Sequence, residues 1–433
     1  MGINKLDIDS VLSDNILTKA EMRDIILAKV NEIIDGVNVI TPNVLLQQVA
    51  WGVPILQSTQ SSPQFGVVGN LLAWQEYKRM SGRYLVTASG KAAKLSPTDS
   101  SVYADGTVLD ESKGNVMSIS PRLYFLVQND NSGTPYLWMS MLPISGHYIG
   151  DANNGEYNCI GAYKGSYSGS NLLSRSGVSP DSAARTIESY FAGAQANGDH
   201  WGLTNFDHRK LLMMFGLSEY GNTNIQDKLG YGVGGSQGMD LWSAATSLLC
   251  GATKSLGDSF GKIDISLVNG GNTGVNCSRV SLLGIEDPYG WQWEFLQGIY
   301  CGSSGNSAQN GKEIFLYKGN RMPTSTELTT HPAGLYRQLE RVTAEGWVKK
   351  IISGEYFDIM PSEVGADSSS YWCDYSWANT TGQVVLWGGA AYYGAFCGLA
   401  SAYSNYGWSN ANAYFGSRLA YYGPLDFVDG KNI

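Results

Sequence analysis

The residues best able to do covalent or metal chemistry are few and scattered. Six cysteines (Cys159, Cys250, Cys277, Cys301, Cys373 and Cys397) lie far apart, and no two form a CxxC pair. Structural zinc sites and dithiol redox centres usually need such close ligand pairs. The four histidines (His147, His200, His208 and His331) are scattered too. Isolated thiols of this kind pack as small hydrophobes, so buried, reduced cysteines are expected, with no metal and no cofactor.

One stretch has a different character. Between Asp374 and Arg418 there is no charged residue, and Tyr392, Tyr393, Tyr403, Tyr406 and Tyr414 alternate with Ala390, Ala395, Ala402, Ala411, Ala413, Ser401, Ser404, Asn405 and Asn412. The chemistry available to such a mixture is recognition. Tyrosine offers a large contact area for two rotatable bonds, and small residues let it fit, which is why antibody loops use this combination. The plainer alternative is a glycine-rich core with its tyrosines half buried. The recognition reading predicts that the five tyrosines share one solvent-exposed face, and that truncating Tyr403 and Tyr406 weakens binding with little loss of stability.

The elements that must hold such a surface are short. With 53 glycines, 26 tyrosines and 15% charged residues, the chain favours many strands and turns over long polar helices, and an α+β fold is expected. A length of 433 residues allows a large core in two to three domains, or in one insertion-rich domain. The net charge of −9 and the pI near 5.0, without a basic cluster, argue against a nucleic-acid partner. No apolar run approaches the roughly 18 residues of a membrane span, so no membrane insertion is expected. The start, Met1-Gly2-Ile3-Asn4-Lys5-Leu6-Asp7, lacks the basic region and apolar core of a signal peptide.

Thr18-Lys19-Ala20-Glu21 fits a capping box, and Met22, Ile26, Val30 and Ile33 follow at helical steps up to Asp35-Gly36. A second helix is predicted from Thr41-Pro42 to about Val49. Together, residues 1–54 read as an N-terminal helical segment for self-association or attachment, because an amphipathic helix needs a partner to cover its stripe. A further helix is predicted around Leu71 to Met80. Leu123–Val127 and Tyr136–Met139 read as a strand pair joined by the turn-rich Asn129–Gly133. Two more helices are predicted, one from Ser179-Pro180 to Asn197-Gly198 and one from Thr204 or Asn205 to Gly221.

This order of elements resembles the formylglycine-generating-enzyme-like branch of the C-type lectin fold. The resemblance is carried first by Asp199-His200-Trp201-Gly202-Leu203, leading into the last helix with Glu219-Tyr220-Gly221. Next comes Gly284-Ile285-Glu286-Asp287-Pro288-Tyr289-Gly290-Trp291-Gln292-Trp293-Glu294-Phe295, similar to the family's glycine-tryptophan signature. Last is Leu386-Trp387-Gly388-Gly389 running to Phe415-Gly416-Ser417-Arg418. The resemblance implies a C-type lectin-like domain over residues 55–433, with Glu294 and Arg418 as core scaffolding, where a buried charge must be paired and hydrogen-bonded. The oxidase members carry two cysteines soon after the Gly-Gly pair. Here Tyr393 stands where the first would be and only Cys397 lies near the second, and a lone thiol cannot make a two-thiolate copper site. The chain is therefore not expected to be an enzyme.

The spacing Gly388-Gly389-x4-Gly394-x3-Gly398, then Ser409-Asn410 and Phe415-Gly416-Ser417-Arg418, is similar to the variable region of diversity-generating-retroelement proteins, including phage tropism determinants. That resemblance implies a variable ligand-binding region at about 388–418. Its candidate positions are Ala390, Tyr392, Tyr393, Ala395, Phe396, Ala402, Tyr403, Asn405, Tyr406, Ala411, Asn412, Ala413 and Tyr414. The fixed scaffold would be Gly388, Gly389, Gly394, Gly398, Trp408, Ser409, Asn410, Gly416 and Arg418. It further implies an adhesin at a phage or prophage tail tip, or at a bacterial surface through a partner, that binds a bacterial cell-surface protein or glycan as a homo-oligomer, with a trimer as the family's pattern. Two alternatives stay open, a calcium-dependent carbohydrate-binding lectin and a formylglycine-generating-type oxidase.

Overall fold

Asn205 caps the longest helix described as a reciprocal pair: its side chain accepts from the His208 N–H (2.9 Å) and its own N–H donates to His208 Nδ1 (3.3 Å). The helix ends where Gly221 takes a left-handed conformation. Both ends fall where the sequence predicts them. The computed structural model describes residues 42–55, 62–130, 133–236, 240–268, 274–302, 311–317, 321–330 and 334–433. The longer helices are α1 (Pro42–Val49), α2 (Leu71–Met80), α3 (Ile187–Gln195) and α4 (Phe206–Tyr220). The predicted helix at Thr18–Asp35 lies outside the described residues.

α4 is buried on nearly every side, from His208 to Ser218, so it acts as a central strut. Its basic residues find acceptors inside the fold. Arg209 donates to the carbonyl oxygens of Leu399 (3.2 Å), Pro288 (2.8 Å) and Gly398 (2.9 Å), and Lys210 pairs with Asp207 at 2.7 Å. α3 begins seven residues later than Pro180. Asp181 is held by its N–H on the Gly165 carbonyl and Ala184 adopts a positive φ of 53°, which a helix cannot continue through. Thr186 caps it instead.

Among the described residues strands dominate, at 35% against 18% helix, and the fold is mixed α+β with curled sheets. α1 leads into Trp51–Pro54, which pairs antiparallel with Pro135–Ser140 in a five-stranded sheet. Trp51 is fully buried against Trp74 and Tyr77, and its indole N–H donates to Ser218 Oγ (2.8 Å). Residues 42–54 thus belong to the folded body, and a boundary at residue 54 does not separate them from it. A seven-stranded sheet ties the C-terminal strands Leu419–Tyr421 and Asp426–Val428 to Trp201–Leu203 and Lys91–Lys94. The largest sheet, with nine strands, carries the candidate site. Between these layers Lys164 and Arg418 both pair with Glu294 (2.7 and 2.9 Å), all three buried. Burial alone would raise the Glu294 carboxyl, yet Arg418 and Lys164 hold it down to about 2.

Candidate binding surface

The surface is built on four neighbouring strands of the nine-stranded sheet. Phe295 of Trp293–Cys301 lies opposite Leu386 of Val384–Trp387, Leu386 lies opposite Tyr403 of Ala402–Ser404, and Tyr403 lies beside Trp377 of Tyr375–Ala378. Side chains in register on neighbouring strands share a face, and so do residues two apart along one strand. Trp293 and Tyr375 therefore join that row. The strand Phe415–Gly416 runs parallel to Trp293-Glu294 and closes it.

Two loops fold over the row, the first of them locked by glycine. Gly388 and Gly389 take φ of 91° and 83°, and a Cβ on Gly389 would lie 2.3 Å from Cys397 Sγ, so no other residue fits there. The loop that follows carries Tyr392 and Tyr393, whose ring centroids are 4.1 Å apart. The segment after Ser404 brings up Tyr406 and Tyr414. Tyr403 is sandwiched between Trp377 (5.4 Å, 17°) and Tyr406 (4.7 Å, 20°). Tyr414 meets Tyr392 edge-on at 5.1 Å, and Trp293 underlies Tyr393 and Tyr403 at 5.5 and 5.4 Å. Phe396 forms a wing, stacked on Trp347 at 4.9 Å with Tyr375 against its edge.

The five rings pack on one another, Tyr392 against Tyr393 and Tyr414, and Tyr403 against Tyr406. The buried Trp293 Nε1–H has no hydrogen-bond partner among the described residues. Burial raises all five phenols, those of Tyr393 and Tyr414 up to about 12. The surface is therefore uncharged over the physiological range. At its edge Asn405 Nδ2 donates to Glu345 Oε1 (2.8 Å).

Of the predicted positions, Tyr392, Tyr393, Tyr403, Tyr406 and Tyr414 do converge, from three separate segments, but their rings are half-buried and packed on one another rather than fully exposed. Ala395, Phe396, Asn405, Ala411, Asn412 and Ala413 are also half-buried. Ala390 and Ala402 are a correction. At 0% and 1% exposure they present nothing to a ligand, because Ala390 bridges to Trp291 and Ala402 pairs with Trp387 inside the sheet. Sequence reasoning missed Trp377, Tyr375, Trp347 and Glu345, which complete the surface from outside residues 388–418. The alternation Tyr375-Ser376-Trp377 was the available signal.

The arrangement offers contact area and hydroxyl hydrogen bonding but no evident nucleophile or acid–base pair. Cys397 is fully buried, its thiol donating to the Ala390 carbonyl (3.4 Å), and burial pushes its pKa well up. That suppresses the thiolate that oxidation chemistry requires. Among the described residues no group of three or more His, Cys, Asp or Glu is placed to hold a metal ion, and no helix is long and apolar enough to cross a membrane. In comparisons with known proteins, the chain matches no family model and no curated protein.

Proposed function

We propose that this chain is a hypervariable receptor-binding protein, an adhesin of the diversity-generating-retroelement type on a formylglycine-generating-enzyme-like C-type lectin fold. In this reading it acts at a phage or prophage tail tip and lays the Tyr392–Tyr414 surface against a bacterial cell-surface protein or glycan. The observation that carries the reading is the convergence of five tyrosines, two of them on the loop locked by Gly388 and Gly389, into one uncharged face. A rigid framework with aromatic anchors binds at low entropic cost. Several copies on one particle would add avidity through effective concentration.

The test is binding of the labelled, purified chain to a panel of bacterial cells, with stability measured in parallel. Because the rings pack on one another, truncating Tyr406 and Tyr414 together is expected to cost about 1–3 kcal/mol of stability, more than the sequence reading allowed. Binding to a recognised strain should fall at least tenfold. The paired Tyr406→Phe and Tyr414→Phe changes keep the stacking and should weaken binding without that loss. Binding that survives the double alanine change would reject the surface. Neighbouring DNA lacking both a reverse transcriptase and a near-copy of the codons for 388–418, differing mainly at adenines, would reject the hypervariable part alone.

A further inference from the structure

Beside the tyrosines runs a segment of different chemistry, pinned to the fold and partly open to water. The short helix Trp242–Ala245 is held against the loop that carries Tyr392. The Leu241 N–H donates to the Ala391 carbonyl (3.1 Å), and the Trp291 indole N–H donates to the Ala245 carbonyl (3.3 Å). Trp242 meets Tyr414 edge-on, with ring centroids 6.2 Å apart. Further along, Arg279 Nη1 donates to the Leu249 carbonyl (2.8 Å) and the Cys250 N–H to the Val178 carbonyl (2.9 Å). The chain after Val178 returns to the tyrosines through Gln292, whose Nε2 donates to the carbonyls of Asp181 (2.7 Å) and Ala413 (3.4 Å). The two points of attachment, Ala391 and Ala413, adjoin Tyr392 and Tyr414, which touch each other.

Apolar side chains of this segment stay uncovered: Leu249 is 50% and Val178 39% exposed, and Trp242 and Leu248 are half-buried. An isolated exposed aliphatic needs no explanation, but several in a pinned segment that continues an aromatic face enlarge that face. Chemistry separates the occupants. A sugar presents hydroxyls, and burying them against leucine and valine forfeits their hydrogen bonds to water. A protein surface with apolar residues of its own gains by covering the same atoms. Area points the same way. A specific protein contact covers about 800 Å² on each partner. Tyrosine rings bring roughly 150–250 Å² each when wholly exposed, so half-buried ones need a flank to reach that area.

We propose that Trp242, Leu248, Leu249 and Val178 form a fixed apolar flank of the binding face, and that the partner seated across flank and tyrosines is a folded protein. The inference rests on the tyrosine surface being the binding face, and adds to it residues outside 388–418. Binding of the labelled full-length chain to a recognised strain should be lost when the cells are treated with proteinase K. It should survive periodate, which cleaves the vicinal diols of sugars. Leu249→Glu with Val178→Glu should weaken binding at least tenfold, while Leu72→Glu, at a residue 80% exposed on the first turn of α2, should leave it unchanged. A folding defect in the double variant shows in its melting temperature and is bypassed by Leu249→Ser, which should weaken binding about threefold. The flank variants should sediment like wild type. If Tyr406→Phe with Tyr414→Phe weakens binding and the flank variants do not, the flank is overturned and the tyrosine reading stands. If the tyrosine pair has no effect, or no strain is recognised, both fall. Binding that survives the protease, or is lost to periodate, overturns the protein partner. A sedimentation change confined to the flank variants overturns the inference too, by giving the flank to a second copy of the chain.

Discussion

Asp258 lies over the α-carbon of Gly82, with Oδ1 accepting the Arg83 N–H (2.7 Å) and Oδ2 buried without a partner. Burial pushes its carboxyl up to about 6 from an ordinary value of 3.8. A folded-state pKa above the unfolded one means that the native state holds this proton more tightly. Its contribution is therefore full below about pH 4 and is lost as pH rises through 6. Asp258→Asn should be more stable than wild type above pH 7, by on the order of 2 kcal/mol, with the margin shrinking towards pH 4 in urea denaturation series. A margin independent of pH would exclude the assignment. Side-chain chemistry at this scale was partly legible in the sequence: Glu294 and Arg418 could be read as core scaffolding whose charges need partners, because unpaired charge is not tolerated inside a fold. The third member, Lys164, which pairs with Glu294 at 2.7 Å, could not, since it lies outside the segments that carry the resemblance. Nor could the burial of Ala390 and Ala402, because a small residue reads alike on a surface loop and in a strand.

At the scale of elements, caps and breakers were the readable signals. Asn205 and Gly221 bound a helix where side-chain and left-handed capping predict. The start of α3 was misread, since Ser179-Pro180 has the chemistry of a helix start but Ala184 turns out of the helical region. The Gly388-Gly389 turn is the element on which the surface depends. Gly389→Ala would place a methyl 2.3 Å from Cys397 Sγ at a φ of 83°. It should cost about 1–3 kcal/mol, whereas Ala395→Ser, on the half-buried outer side of the same loop, should stay within about 0.5 kcal/mol. Chemical denaturation of the two variants separates a locked turn from a pliable one. Equal, small effects would mean that the loop can relax and that the tyrosines are not pre-set.

At the scale of the whole molecule the strand order was not legible, because pairing partners lie far apart in the chain. Asp426–Val428 runs parallel to Lys91–Ala93, and Trp201–Leu203 pairs with Leu419–Tyr421. No local pattern specifies such a register. What could be read was the distribution of charge, and it has a consequence for binding. The chain carries a net −9, yet none of its charged residues falls between Asp374 and Arg418, and the phenols of the surface stay protonated. Salt should then act on binding only through the long-range field, which governs approach, and not through contacts that must break on release. With an anionic cell surface as partner, raising salt from about 0.05 to 0.5 M should speed association by screening repulsion, over lengths falling from roughly 14 to 4 Å. The dissociation rate should change by less than about twofold. Surface-plasmon or interferometry measurements on immobilised cell envelope would read both rates. Dissociation that quickens tenfold with salt would reveal ion pairs in the contact, with Glu345 as the nearest carboxylate known to touch the surface, and would move the binding face away from the tyrosines.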